Sequence, residues 1–474
     1  MKILIDFQGA QGFGSGRGIG AYTFEFSRGL VALDDSRFEV FLLLNMSIED
    51  GLAELIREVR FFCDRDKILG FFVPKSSDVK NIGWRSQALI NRRSVINQLD
   101  PDIVVLTSLF EPPSSPVVSV VDPLVGSAHV SVLYDLIPKE MPSKYLTTVN
   151  AKESYENSIA QLLKSNLVLT ISEYTASVFH KIYRNQHRPR TVVVGTATMK
   201  RFSAFAGKKR SELIEKKALP LELVNKLRIN KNFILTVSGQ DERKNLRLLI
   251  AAFLNLSSNY RKYQLVVVCH LEDNVKNKLL DEVSGDASLK AEIIFTGYLK
   301  SDELDILYRL CKLFVFPSLQ EGFGLPVLEA MTFGSPCLVA NTSSLPEVAG
   351  KACIFFDPLN QKDLEEKLTR LLSDESLLLK LSQYSIERSK EFSWEKVVKK
   401  TTKAIAEIKR AKDIQGSSSV DAIKQTSVHE KKKLAYISPL PPMKSGISEY
   451  SMTLIKFLAR FYNITVVNEL GLDN

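Results

Sequence analysis

Short apolar runs of strand type alternate with helix-type stretches through most of this 474-residue chain. That alternation is the signature of parallel sheets joined by crossover helices. The runs form two sets. The first holds KILIDF (2–7), EVFLLL (39–44), DIVVLT (102–107), VSVLYD (130–135), LVLTIS (167–172) and TVVVG (191–195). A stretch rich in Lys and Glu, Lys200 to Ile229, then reads as a connector and a helical entry. The second set holds FILTVS (233–238), QLVVVC (264–269), EIIFTG (292–297), LFVFPS (313–318), PCLVAN (336–341) and CIFF (353–356), with helices from Leu364 to Lys412 after it. The length exceeds one compact core and suits two α/β domains plus an extra piece.

The segment from Phe314 to Pro358 carries the strongest chemical signal. It reads as a strand, a Gly-rich loop, a helix opened by Pro326, and a second strand. Pro suits a first helical turn, where its missing N–H is not needed. Glu321 falls in the loop and Glu329 one turn inside the helix, eight positions apart. The amides of Gly322, Phe323, Gly324 and Leu325 are expected at the helix amino end, where the dipole favours an anion. The carboxylates would repel phosphate, so they should face hydroxyls such as those of ribose and a sugar. A strand, a glycine loop and scattered Glu also occur in many doubly wound proteins, so the spacing alone leaves a purely structural reading open.

The neighbouring residues narrow it. EGFGLPVLEAM, then GSP, LPEVAG and a closing Phe-Asp-Pro turn together resemble the donor-nucleotide segment of retaining GT-B glycosyltransferases. The match is to family 4, also called glycosyl transferases group 1. Its signature of a Glu, seven residues and a second Glu fits Glu321 and Glu329. The resemblance implies two Rossmann-like doubly wound domains facing across a cleft. An acceptor-side domain would cover 1–200 and a nucleotide-sugar-binding domain 201–392, with a helix at about 393–410 returning to the first. Glu329 would bind ribose and Glu321 would orient the donor sugar. Such enzymes generally need no metal or other cofactor, because cations and helix amides stabilise the leaving diphosphate.

Three other segments add candidates. Gly9 to Gly20, GAQGFGSGRGIG, follows the first strand, and its glycines let backbone approach a ligand. As a dinucleotide fingerprint it misses the third glycine by one place, and Asn45 rather than an acid ends the second strand. The resemblance implies that Gly18 and Gly20 lie near the donor phosphates and Arg17 faces the acceptor; a plain glycine-rich surface turn is the other reading. Arg243 and Lys244, in SGQDERKN, stand at the head of a helix, where cations oppose the dipole. That cost favours a diphosphate-binding role, as in the family, although several members carry the Arg nearer the position of Gln240. Tyr134 and Asp135 in YDLIP resemble an HDLIP-type segment that points at donor and acceptor. Tyr134 stands where the family commonly has His, and Asp135 is either an acceptor contact or a strand-end cap. Ser172 and Thr175 read as helix caps.

The bulk numbers set outer bounds. Apolar residues make up 45% and charged residues 25%, as in soluble globular proteins. No run approaches a membrane span, and MKILIDFQ is a strand rather than a signal peptide, so a cytoplasmic location is expected. The five cysteines form no C-x-x-C pair and read as small buried hydrophobes; the five histidines form no zinc pattern. The Asp pairs at Asp64/Asp66 and Asp100/Asp102 are discounted as metal sites. A net charge of +9 suits an anionic partner such as a nucleotide sugar, a pyrophosphate-linked lipid or an anionic membrane face. No aromatic-basic stripe supports nucleic acid.

Residues 411–431 lose the pattern and read as a Ser-rich linker. From 432 to 474 the strand–loop–helix order returns. GISEYSMTLIKFL (446–458) repeats Gly, Ile, Tyr and Leu of GIGAYTFEFSRGL (18–30), which reads as the start of a second glycosyltransferase domain; a coincidental tail is the alternative. A tandem chain with YDLIP, ERKN and FGLPVLEAM most resembles bacterial mannosyltransferases that build polysaccharides such as lipopolysaccharide O-antigen. The expected donor is GDP-mannose. The expected acceptor is a glycan on a polyprenyl diphosphate at the inner membrane face. A UDP-sugar donor, a sugar-nucleotide epimerase and a non-catalytic half stay open as alternatives.

Overall fold

The computed structural model describes residues 1–11, 18–73, 82–112, 115–204, 219–256, 262–283, 290–423, 433–437, 454–455, 458 and 463–467. Its chain divides into two units, Met1–Lys409 and Arg410–Asn474.

The first unit holds two parallel sheets. Seven strands make the first: β1 (Lys2–Asp6), β2 (Glu39–Asn45), β3 (Ile68–Phe71), β4 (Ile103–Leu106), β5 (Ala128–Leu133), β6 (Leu167–Thr170) and β7 (Arg190–Val193), in the order β3-β2-β1-β4-β5-β6-β7. Six make the second: β8 (Asn232–Val237), β9 (Tyr263–Val268), β10 (Ile293–Phe295), β11 (Leu313–Phe316), β12 (Cys337–Ala340) and β13 (Ile354–Phe356), ordered β10-β9-β8-β11-β12-β13. Helices cover both faces, so the inner strands are largely apolar; β4, β6, β11 and β12 are buried at every position. All five cysteines are buried thiols.

Twelve of these strands were legible as apolar runs. The thirteenth, β3, was not. Its four residues ILGF follow a charged turn, include a glycine, and lie beside β2 at the sheet edge. A short, partly exposed edge strand needs little apolar sequence, so its signal is weak.

Among the helices over these faces are α1 (Ile19–Val31), α2 (Ile82–Leu99), α3 (Glu173–Ile182), α4 (Ser301–Leu310), α5 (Leu325–Thr332) and α6 (Trp394–Ile423). In each sheet the winding reverses at one place, between β1 and β4 and between β8 and β11. Loops leaving the carboxyl ends of strands at such a switch point diverge and leave a crevice. The start of α6 packs on α1: the Trp394 ring lies 5.2 Å from Tyr22, its Nε1 donates to Thr198 O at 2.9 Å, and Val397 and Val398 are buried.

Helix α6 continues to Ile423, inside the stretch 411–431 read as a flexible linker. Its sequence holds no Pro, and Ala, Lys, Ile and Gln sustain a helix despite Gly416 and three serines.

In the second unit β14 (Lys433–Ile437) pairs in parallel with β15 (Asn463–Val467). A parallel pair needs a crossover connection, the same strand–crossover–strand arrangement as β1, α1 and β2. Most of the aligned segment 446–458 lies outside the described residues.

Candidate functional site

The switch point of the second sheet builds the site. Strands β8 and β11 are neighbours, so the turns after them meet although far apart in sequence. The first, Asp241 to Asn245, is a single 3-10 turn ending in Asn245 at φ 55°. The second, Pro317 to Gly324, leads into α5. Gly324 caps α5 at φ 107°, a backbone conformation that favours glycine, and a Cβ there would lie 2.6 Å from Leu345 Cδ2. Pro326 occupies the first turn of α5.

Glu321 sits at the meeting point. Its Oε1 accepts from Lys244 Nζ at 2.6 Å and from Ser318 Oγ at 2.7 Å, with Arg243 Nη1 at 3.0 Å. Burial alone would raise this carboxyl, but Lys244 and Arg243 outweigh it and hold the group below its usual range. Arg243 Nη1 also donates to Gln320 O at 2.6 Å. Two cations are thus collected on one buried carboxylate beside a helix amino terminus.

Glu329, one turn into α5, accepts from Tyr308 Oη at 3.0 Å. Tyr308 is fully buried on α4 and stacks on Phe333; its hydroxyl is pushed well up, by burial first and then by the Glu329 charge. Sequence reading missed Tyr308, because a tyrosine at an apolar position of an amphipathic helix carries no mark of what its hydroxyl meets.

The first sheet supplies the opposite wall. Tyr134 and Asp135 follow β5, and their main chain lies directly against Gly322. A Cβ on Gly322 would collide with Tyr134 O and come within 2.9 Å of Asp135 Cβ. Tyr134 Oη donates to Thr107 O at 2.9 Å, so the proton of this hydroxyl is committed to its own sheet. Asp135 Oδ1 accepts from Ile137 N at 3.0 Å, which is the capping role. Burial nevertheless raises its carboxyl; the Ile137 amide and Arg243 oppose that rise, while Glu321 and Glu140 add to it. Ser172 caps α3 through the Thr175 amide at 3.0 Å, as read from sequence, and also donates to Gly322 O at 2.7 Å.

Between these walls lies a cavity of about 370 Å³. Gly18, Tyr134, Asp135, Glu321, Glu329 and the run from Gly322 to Leu325 all line it. The cavity therefore gathers residues chosen from three separate segments. Lys244 and Arg243 adjoin it through Glu321. Gly20 is buried inside the first turn of α1 rather than on the cavity wall, because the helix already begins at Ile19. Arg17 lies outside the described residues. Tyr22 and Trp394 line the cavity too and were not singled out from sequence.

Residues 221–388, which carry α5 and the Arg243–Lys244 turn, match the family model described as glycosyl transferases group 1. The chain carries a glycosyl transferases group 1 domain. Among curated proteins, the serotype-specific mannosyltransferase WbdA of Escherichia coli is 32% identical over 402 residues, 83% of this chain and 46% of that protein. The O-antigen chain mannosyltransferase B of Escherichia coli is 28% identical over 253 residues, 52% of this chain and 63% of its own length. This chain thus spans less than half of the WbdA proteins it matches, 46% of one and 38% of two others. Among solved structures, WaaG, a glycosyltransferase involved in lipopolysaccharide biosynthesis, aligns with a TM-score of 0.59 at 17% identity, covering 85% of this chain and 99% of WaaG. HepE of Anabaena in complex with UDP-glucose aligns with a TM-score of 0.60 at 15% identity, over 86% of this chain and 100% of its own. At those identities the likeness concerns the fold, which is GT-B, with the group 1 domain forming its second half.

Proposed function

We propose that this protein is a retaining mannosyltransferase that moves mannose from GDP-mannose onto a growing bacterial polysaccharide such as an O-antigen. The observation that carries the reading is a conjunction. The group 1 domain sets Lys244, Arg243 and Glu321 together against a cavity that Glu329 and Asp135 also line, and the 402-residue similarity to a mannosyltransferase spans both halves of the fold.

In this reading Lys244 and Arg243 stabilise charge developing on the leaving diphosphate, a task they perform without a metal ion. Glu329, oriented by Tyr308, binds the ribose hydroxyls. Glu321, whose ionised form those cations favour, orients the donor sugar. Gly18 and the amides from Gly322 to Leu325 border the phosphates. Asp135 and Arg17 lie on the acceptor side, and the acceptor hydroxyl loses its proton to the departing phosphate. Both motif carboxylates belong to one loop and helix on one side of the cleft, unlike the pair flanking a glycosidic bond in a hydrolase. The acceptor is a glycan on a polyprenyl diphosphate, reached from the cytoplasm at the inner membrane face. Among the described residues no helix is long and apolar enough to cross a membrane. The second unit, with its parallel β14–β15 pair, begins a further domain of the same kind.

A donor panel tests this. GDP-mannose, UDP-glucose and UDP-GlcNAc are offered with a short mannan acceptor, with and without EDTA, and products are read by mass and NMR. Alpha-linked mannose from GDP-mannose alone, indifferent to EDTA, is the expected result. Transfer from a UDP-sugar sinks the donor assignment, and EDTA-sensitive transfer sinks metal independence. Release of free monosaccharide without an acceptor sinks glycosyl transfer in favour of an epimerase.

A further inference from the structure

The segment from Tyr134 to Tyr145, in the first-sheet half, touches the second half at three places. At one end its main chain packs on Gly322. In the middle Glu140 Oε2 accepts from Gln320 Nε2 at 2.6 Å. At the far end Tyr145 Oη donates to Asp241 Oδ2 at 2.6 Å, and Lys144 Nζ lies 3.1 Å from Asp241 Oδ1 and 3.2 Å from Glu242 Oε2. Asp241 opens the turn that carries Arg243 and Lys244. Its Oδ1 accepts the Arg243 amide at 3.0 Å, and its Oδ2 lies 3.3 Å from Arg243 Nε. The guanidinium is therefore held on two sides, with Nε toward Asp241 and Nη1 toward Gln320 O and Glu321.

We propose that Asp241 and Tyr145 are positioning residues: across the cleft they clamp the Arg243–Lys244 turn, so that its cations are aligned only when the two halves are closed. The proposal rests on the diphosphate role given to those cations above. A three-residue 3-10 segment has few bonds of its own; its main chain is anchored within its half where Arg243 O accepts from Leu319 N at 2.7 Å and Pro358 O accepts from Asn245 Nδ2 at 2.8 Å, whereas the Arg243 side chain depends on the partners around its guanidinium. A guanidinium free to rotate loses the fixed orientation that electrostatic stabilisation of a leaving group requires. Asp241 is itself unsuited to touch a diphosphate, since two anions would repel. Its place behind the guanidinium, opposite Glu321, orients the cation without that conflict. Tyr145 and Lys144 then supply the coupling. They belong to the first-sheet half, so opening the cleft removes both from Asp241 in one motion.

The test uses the full chain and Tyr145→Phe, which removes one oxygen from a half-buried side chain and leaves the fold intact. Hydrogen exchange at the amides of 242–245 is measured first, with no ligand. A hydrogen bond to a charged group lost from the clamp is expected to speed it about tenfold. Steady-state transfer from GDP-mannose is measured next: kcat falls about tenfold while the donor KM changes little, and combining Tyr145→Phe with Arg243→Lys costs less than the two losses multiplied. Asp241→Asn reproduces the defect, and Asp241→Glu restores part of it. Unchanged exchange in Tyr145→Phe overturns the clamp. Faster exchange with unaltered kcat, or losses that simply multiply, overturns its positioning role. Absence of transfer by the unaltered protein from any donor sinks the functional reading of the site instead, and the ligand-free exchange then decides the clamp alone.

Discussion

Glu321 shows how much one side chain can concentrate. Replacing it with Gln leaves Lys244 and Arg243 beside a neutral amide in a largely buried setting. Removing one partner of such a cluster costs about 3–5 kcal/mol, and the urea midpoint should report it. Because its folded carboxyl is held below the ordinary value of 4.5, Glu321 contributes stability that is present above that pH and is lost as pH falls through the lower folded value. Glu321→Gln should therefore flatten the acid side of the stability curve. Asp305 behaves with the opposite sign. Burial lifts its carboxyl to about 6 from 3.8, against Arg201 and Arg309. The folded state binds that proton more tightly, so stability falls as pH rises from 3.8 to about 6 and then levels. Urea midpoints of Asp305→Asn and the unaltered protein, compared between those limits, check it: the difference should grow in favour of the variant as pH rises. At Gly322 the limit is steric. A Cβ colliding with Tyr134 O forces the cleft walls apart, so Gly322→Ala should cost about 1–3 kcal/mol and lower kcat by about a hundredfold, as a misplacement near 1 Å does.

At the scale of elements, what the sequence disclosed and what it hid divide along one line. The strands, the Pro-led helix α5 and the cap Ser172 are local matters, set by periodicity and by backbone groups within a few positions. Glu321 and Glu329 were legible because both lie within one loop and helix. Tyr308, Asp241 and Tyr145 were not, since each acts on a residue whose position depends on the fold. Strand β3 escaped because an edge needs little apolar sequence, and the end of α6 was misread because serines signal a linker only where nothing sustains a helix. Helix α3 links the two kinds of knowledge. Ser172 caps it locally, and from the second half Glu347 accepts from the Glu173 amide at 2.9 Å, placing a carboxylate on the positive end of its dipole. Ser172→Ala loses the cap and the bond to Gly322 O together. The expected loss is about 1–2 kcal/mol in chemical denaturation, with faster exchange at the α3 amino end.

For the whole molecule, the division at Lys409 predicts that a chain ending there keeps the fold of the first unit and, on the proposed function, binds the same donor nucleotide as the full chain. A chain ending at Phe392 also loses Trp394, Val397 and Val398, which are packed beside α1. Its melting transition should move down, since the half-buried Trp394 ring and the buried Val397 and Val398 are lost together, and each fully buried side chain of that size is worth about 1.5–3 kcal/mol; equal melting of the two would refute that role of α6. By itself the sequence determined the parallel α/β class, the two sets of strands and the candidate segment around Glu321 and Glu329. Those rest on apolar period and on chemistry confined to neighbouring positions. Only the tertiary structure decided that Lys244 and Arg243 meet on Glu321, that Tyr134 turns its hydroxyl to Thr107, and that Tyr145 reaches Asp241. Each depends on which strands lie side by side at a switch point and on how two sheets face each other, distances that no local pattern encodes.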